Sequence, residues 1–207
     1  MTKYKIGILA YGSLIDNPGK EIEPIIIDRI NCKTPFKVEF ARQSSSRDNA
    51  PTLIPYETGN EVKAVILVLD NSTDLAQAKS ILWRRERHKF DGKNYVEIIN
   101  PTKNQVEVKC ISNFENVEIV IYTSLGKNID GEITAEKLSQ LAINSILSEA
   151  GEKEEDGIRY LNDSIKNSIT TTLSKDYEQS ILDYTETKTL EEAIEKLDLQ
   201  RTKKASM

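Results

Sequence analysis

Tyr11-Gly12-Ser13-Leu14 closes an apolar run, Ile6 to Ala10, and stands just ahead of Asp16-Asn17-Pro18-Gly19. An apolar run that stops at a glycine and a turn cluster reads as a buried strand entering a tight loop. Backbone N–H groups past the end of such a strand have no ladder partner, and a glycine lets another group approach them closely. A loop of this kind can hold a carboxylate or a developing oxyanion by backbone donors. The second stretch with chemistry in it is Arg84-Arg85-Glu86-Arg87-His88-Lys89. Its cations suit the last turn of a helix, where they complement the dipole and sit in solvent. The Glu among them reads locally as a surface ion-pair partner. It is also a carboxylate placed where a helix ends, ahead of the turn that leads to Tyr95.

Absences narrow the chemistry. His88 is the one histidine, so a zinc site of several imidazoles is excluded and a Ser-His-Asp triad would have to use it. No G-x-S-x-G elbow surrounds Ser13, and neither a phosphate-binding P-loop, nor G-x-G-x-x-G, nor C-x-x-C occurs. Carboxylate chemistry is what remains.

At 207 residues the chain is long enough for a substantial core. Its net charge of −5 argues against a nucleic-acid partner, which calls for a clustered basic face. No apolar run approaches the ~20 residues that span a bilayer, and the five-residue run before the glycine loop is too short for a signal-peptide core. A cytoplasmic protein with no membrane partner is therefore expected. In that compartment Cys32 and Cys110, far apart in strand-like surroundings, read as two buried free thiols.

The elements that must position these residues follow from periodicity. Lys37 to Ala41 alternates as a half-buried strand, Ala50 to Pro55 is extended between prolines, and Val62 to Leu69 is the most β-branched run and a central strand. Leu75, Ala78, Ile81 and Leu82 fall at helical spacing, with Thr73 as N-cap and the helix ending near Arg84 to Glu86. Tyr95 to Ile99 and Gln105 to Ile111 read as strands around a hairpin loop, and Val117 to Tyr122 as the last strand. Strands this closely spaced with one helix among them do not suit a doubly wound sheet; a small mixed or antiparallel barrel fits better. After Gly126 the pattern turns helical: Thr134 to about Ala150, Ile158 to Leu173, Ser174 to Tyr184, and a short last helix opened by a Thr189/Glu192 capping box. A boundary is expected at Thr170-Thr171-Thr172, and fraying from Arg201 to Met207.

The ordered set of Tyr11-Gly12-Ser13-Leu14 after a strand, Pro51-Thr52-Leu53 before Gly59, the Val62 to Leu69 strand, and Glu86 followed by Tyr95 resembles the gamma-glutamylcyclotransferase-like family. That family includes AIG2-like proteins and gamma-glutamylamine cyclotransferases, and the similarity covers roughly residues 4 to 125. The resemblance implies an α+β fold, a small mixed β-barrel with flanking helices over 1–125, and here a helical C-terminal extension over 126–207 packing on it. It implies a cofactor-free cyclisation of a small-molecule gamma-glutamyl amide or peptide, releasing 5-oxoproline and an amine, by a monomer or homodimer. Glu86 would be the single catalytic acid/base. Tyr11, Gly12, Ser13 and Leu14 would bind substrate through their backbone amides, and Tyr122 would line the pocket. The chain departs from the family where Arg87 follows Glu86 in place of a common Gly, and the cations crowding Glu86 suggest an anionic substrate tail. A non-catalytic protein holding a small carboxylate in the same loop is the alternative, since fold does not fix function.

Overall fold

The computed structural model describes residues 4–205. They form a mixed α+β structure that divides into two compact units, Met1–Pro35 with Val62–Gly126, and Phe36–Glu61 with Lys127–Met207. In order along the chain, the strands are β1 (Tyr4–Ala10), β2 (Ile26–Lys33), β3 (Val38–Ser44), β4 (Ala50–Pro55), β5 (Lys63–Leu69), β6 (Glu107–Phe114) and β7 (Val117–Ser124). The helices are α1 (Leu75–Glu86), α2 (Ala135–Ile146), α3 (Glu149–Glu152), α4 (Gly157–Lys166), α5 (Ser174–Thr185) and α6 (Leu190–Ala205). No helix among the described residues is long and apolar enough to cross a membrane.

The first unit is an open five-stranded sheet in the order β2-β5-β1-β7-β6, with α1 against it. β1 is antiparallel to β5 and parallel to β7, so the sheet is mixed. The Val62 to Leu69 run is internal, as its composition requires: Leu67 and Ile66 are both fully buried, on opposite faces. Ile6, Ile8 and Ala10 of β1 and Val65, Leu67 and Leu69 of β5 turn to one face and meet Ala78, Ile81 and Leu82 of α1. Leu14 and Ile22, from the connection that follows β1, join the same cluster. At roughly 1.5–3 kcal/mol per fully buried aliphatic side chain, this cluster is ample to fix the helix on the sheet. The helix begins one residue later than the sequence suggests. Asp74 is the N-cap, its carboxylate accepting from Gln77 N–H at 2.8 Å, and it adds negative charge at the positive end of the dipole, which Thr73 does not.

In the second unit β3 and β4 form a separate two-stranded antiparallel sheet grouped with α2 to α6. Phe40 is fully buried there, edge-on to Tyr160 and Tyr177 at centroid separations of 6.2 and 5.4 Å. The buried carboxylate of Glu39 accepts from Phe40 N–H and from Leu173 N–H, tying β3 to the start of α5.

Several expectations change. The strands form no closed barrel among the described residues, because β3 and β4 form a ladder with each other and with no other strand, and β2 and β6 remain the two edges of the larger sheet. Tyr95 to Ile99 is not a strand: Val96 and Ile99 are 76% and 89% exposed, and only Tyr95 is anchored, donating its N–H to Ser80 Oγ and accepting from Val108 N–H through its hydroxyl. Of the two free cysteines, Cys32 is half-buried, with its thiol pushed up by burial to about 11, while Cys110 is exposed because β6 is an edge strand. The last helix is not short. It runs from Leu190 through Ala205, and residues 206–207 of the expected frayed end lie outside the described residues.

Leu82 is fully buried between α1 and the sheet. Leu82→Ala is expected to destabilise the protein by about 2–5 kcal/mol in urea unfolding, through lost transfer energy and the cavity left behind.

Candidate functional site

The connection that leaves β1 is short of regular structure and rich in polar residues. Tyr11 is extended, Gly12 has φ of +72°, and Gly12–Leu14 form one 3-10 turn in which Ile15 N–H donates to Gly12 O at 3.2 Å. Glycine takes that left-handed position without the steric cost a Cβ brings. Two of the turn's side chains hold it in place. Leu14 is buried in the core under α1, and the Tyr11 hydroxyl donates to Thr123 O of β7 at 3.3 Å. The side chain of Leu14 is therefore committed to packing.

At the other end of the site, α1 stops in an ordered way. His88 has φ of +50°, His88 N–H donates to Arg85 O, and Lys89 N–H donates to Arg84 O, each at 3.1 Å. This pair of bonds is the Schellman motif, with His88 in the left-handed position usually given to glycine. The histidine is exposed and ends the helix. Glu86 is consequently the last helical residue, its orientation fixed by a capped terminus.

Between these two ends lie the arginines. Arg84 is buried, with its side chain 9% exposed, and it donates through Nε and Nη2 to the Glu21 carboxylate, the shortest contact being 2.6 Å. Its Nη1 donates to Lys93 O at 2.7 Å. The hydrogen bonds that Arg84 donates to Glu21 hold its pKa above the ordinary value. Arg85, 13% exposed at the side chain, has two tasks. Nη1 donates to Glu86 Oε1 at 2.7 Å, while Nη2 donates to Asn17 O at 2.7 Å and makes a long contact to Ser13 Oγ at 3.5 Å. Its aliphatic stem passes over Gly19, where a Cβ would stand 3.3 Å from Arg85 Cγ and where φ is +92°. Arg87 lies over the Trp83 ring, 3.8 Å from guanidinium carbon to centroid.

The solvated cationic helix end expected from sequence is thus corrected for Arg84 and Arg85, which face the β1–β2 connection and pin it to α1. Lys89 and His88 are the exposed ones. A signal for this was present: Arg85 continues the Ala78, Ile81, Leu82 stripe by a further three residues, and on a helix that spacing stays on one face. Glu21 and Asn17, the loop partners, carry no sequence signal of their own.

Glu86 is neither deep in the core nor free at the surface. Its side chain is 19% exposed and shares the Arg85 guanidinium with the Ser13–Asn17 loop. Ser13 and Glu86, over seventy residues apart, are therefore brought to a single guanidinium, while Tyr11 reaches Thr123 O and Leu14 packs in the core. Tyr122 lies on β7 opposite Lys109 and two places from Ser124, half-buried, and burial pushes its hydroxyl pKa up. Among the described residues no cluster of three or more His, Cys, Asp or Glu could hold a metal ion. No protein-family model and no curated protein matches the chain.

Two substitutions test this geometry. Glu21→Ala leaves the buried Arg84 cation without its carboxylate and should cost about 3 kcal/mol in denaturant unfolding, near the range for a broken buried pair. His88→Gly is expected to leave stability within about 1 kcal/mol, because relief of the left-handed strain offsets the added chain entropy, whereas His88→Val should destabilise by about 1–2 kcal/mol.

Proposed function

We propose that this chain is a cofactor-free gamma-glutamyl cyclotransferase in which Glu86 is the general acid/base. The observation that carries the reading is the single guanidinium of Arg85 joining the Glu86 carboxylate to the Ser13–Asn17 loop. It ties a group capable of proton transfer to the loop that follows Gly12. The five-stranded sheet is, on this reading, an open counterpart of the barrel that the family resemblance implies.

The reaction needs little more than this. The α-amine of a gamma-glutamyl compound attacks its own side-chain carbonyl, forming the ring C–N bond of a five-membered lactam. The bond from that carbonyl to the departing nitrogen breaks. Holding the substrate curled removes roughly 7 kcal/mol of barrier or more, as in other well-oriented intramolecular reactions. Glu86 takes a proton from the attacking nitrogen and returns it to the leaving one, so the carboxylate ends as it began. Backbone donors of the Gly12–Leu14 turn stabilise the charge that builds on the carbonyl oxygen. The products are 5-oxoproline and an amine or amino acid.

A second reading has its own support. Glu86 Oε1 is already paired with Arg85 at 2.7 Å, which suits a protein that only binds a small carboxylate. The two are separated by measuring 5-oxoproline release from gamma-glutamyl amino acids, gamma-glutamyl amines and glutathione, with wild type beside Glu86→Gln. The cyclotransferase should act on one of these classes, and Glu86→Gln should lower its turnover by about 10²–10⁴-fold while still binding substrate. Binding without release by the folded wild type would leave the carboxylate-binding role. Equal release by both proteins would move the acid/base to another residue.

A further inference from the structure

The Arg85–Glu86 pair has a composition that the acid/base role of Glu86 does not account for. A carboxylate used for proton transfer has no need of a guanidinium bound to it, yet Arg85 Nη1 sits 2.7 Å from Glu86 Oε1 with both side chains mostly shielded from water. We propose that Arg85 binds the α-carboxylate of the gamma-glutamyl group, and that the pair selects ligands carrying a free α-ammonium and a free α-carboxylate on one carbon. This rests on the cyclotransferase reading for the placement of the ammonium at Glu86.

The chemistry of an α-amino acid is the mirror of the pair. Its ammonium and carboxylate are about 3 Å apart, so one can face Glu86 while the other faces Arg85. One protein ion pair is then exchanged for two protein–ligand pairs, and neither buried charge is left without a partner, the condition under which shielded charges are tolerated. A ligand with its α-carboxylate capped as an amide would draw Glu86 away from Arg85 and leave the guanidinium facing a neutral group.

Arg85 is also built to stay in place through such an exchange. Its Nη2 remains on Asn17 O at 2.7 Å and its stem on Gly19, so moving Nη1 from one carboxylate to another needs no movement of the side chain. The planar fork of arginine permits this, with one edge held by the protein and one by the ligand. Of its neighbours, Arg84 is consumed by Glu21 and Lys93 O, while Arg87 is stacked on Trp83 with its Nη1 buried and without a hydrogen-bond partner among the described residues.

The experiment compares two ligand pairs on wild type, Arg85→Ala and Arg85→Lys. The first pair is the gamma-glutamyl substrate with the highest release and the same compound with its α-carboxyl converted to carboxamide, read as kcat/KM. The second is L-glutamine and its α-carboxamide, read as calorimetric affinity, which requires no turnover. Wild type should prefer the free carboxylate by about 10- to 100-fold in both measurements, the size expected of a charge-assisted pair. Arg85→Ala should lose that preference mainly through KM, and Arg85→Lys, which keeps the charge without the fork, should fall between. A wild type that treats the carboxylate and carboxamide alike overturns the proposal without any variant. So does an Arg85→Ala protein that loses kcat equally on both and keeps the preference, since Arg85 then only positions Glu86. Failure of 5-oxoproline release alone falls on the cyclotransferase reading, and the calorimetric preference still decides the role of Arg85: its presence in wild type and loss in Arg85→Ala supports the assignment, and its absence overturns it.

Discussion

The two adjacent guanidiniums at the end of α1 hold the polar connection that leaves β1. That connection, from Tyr11 to Ile25, has no strand ladder to fix it and contains Asp16-Asn17-Pro18-Gly19, a sequence with many conformations open to it. Arg84 reaches Glu21, and Arg85 reaches Asn17 O and Ser13, so the loop is bound at two points one helical residue apart. Putting two cations in a shielded position would be costly if either lacked partners. Each is met by a carboxylate and a backbone carbonyl, and charge-assisted bonds of that kind are the stronger ones.

The clamp works only because α1 is itself fixed at three places. Its apolar face is held by β1 and β5, its first turn by the Asp74 carboxylate, and its last by the bonds around His88. Core packing sets where the helix axis lies, while the caps set which residue is last. Glu86 thus inherits its position from groups that have nothing to do with proton transfer. The same core reaches into the site through Leu14, whose burial prevents the 3-10 turn from lifting off the sheet. The single histidine, the first residue one would suspect of chemistry, is accounted for by its backbone.

In the unit formed by Phe36–Glu61 and Lys127–Met207 the same economy appears. Asp156, fully buried, caps α4 by accepting from Ile158 and Arg159 N–H and pairs with the Arg159 guanidinium, which also reaches Asp198 of α6. Glu39 is buried without a cation and is satisfied by two backbone N–H groups. In both cases a buried carboxyl group fixes a helix terminus, where orphan donors would otherwise need water.

Local patterns carried a good part of the architecture. The apolar runs of β1 and β5 specify strands covered on both faces, and the Leu75 to Leu82 periodicity a helix with one buried face; the Lys37 to Ala41 alternation also marked a strand, although Glu39 and Ala41 are as buried as Val38 and Phe40. Thr134 as the cap of α2 and Thr189 as the start of α6 were legible for a similar reason, since a capping side chain acts on N–H groups two or three residues away. Tyr95 to Ile99 misled because its apolar residues imitate a strand, while strand formation depends on a neighbour with a free ladder, which local sequence does not encode. The pairing of β3 with β4 alone, and hence an open sheet in place of a barrel, belongs to the same class of decision. So does the site. Residue types and order singled out Tyr11 to Leu14 and Glu86 as candidates. Only the tertiary structure decided that Arg85 joins them and that Arg84 is spent on Glu21, because a guanidinium's partners are chosen by contacts between segments more than sixty residues apart.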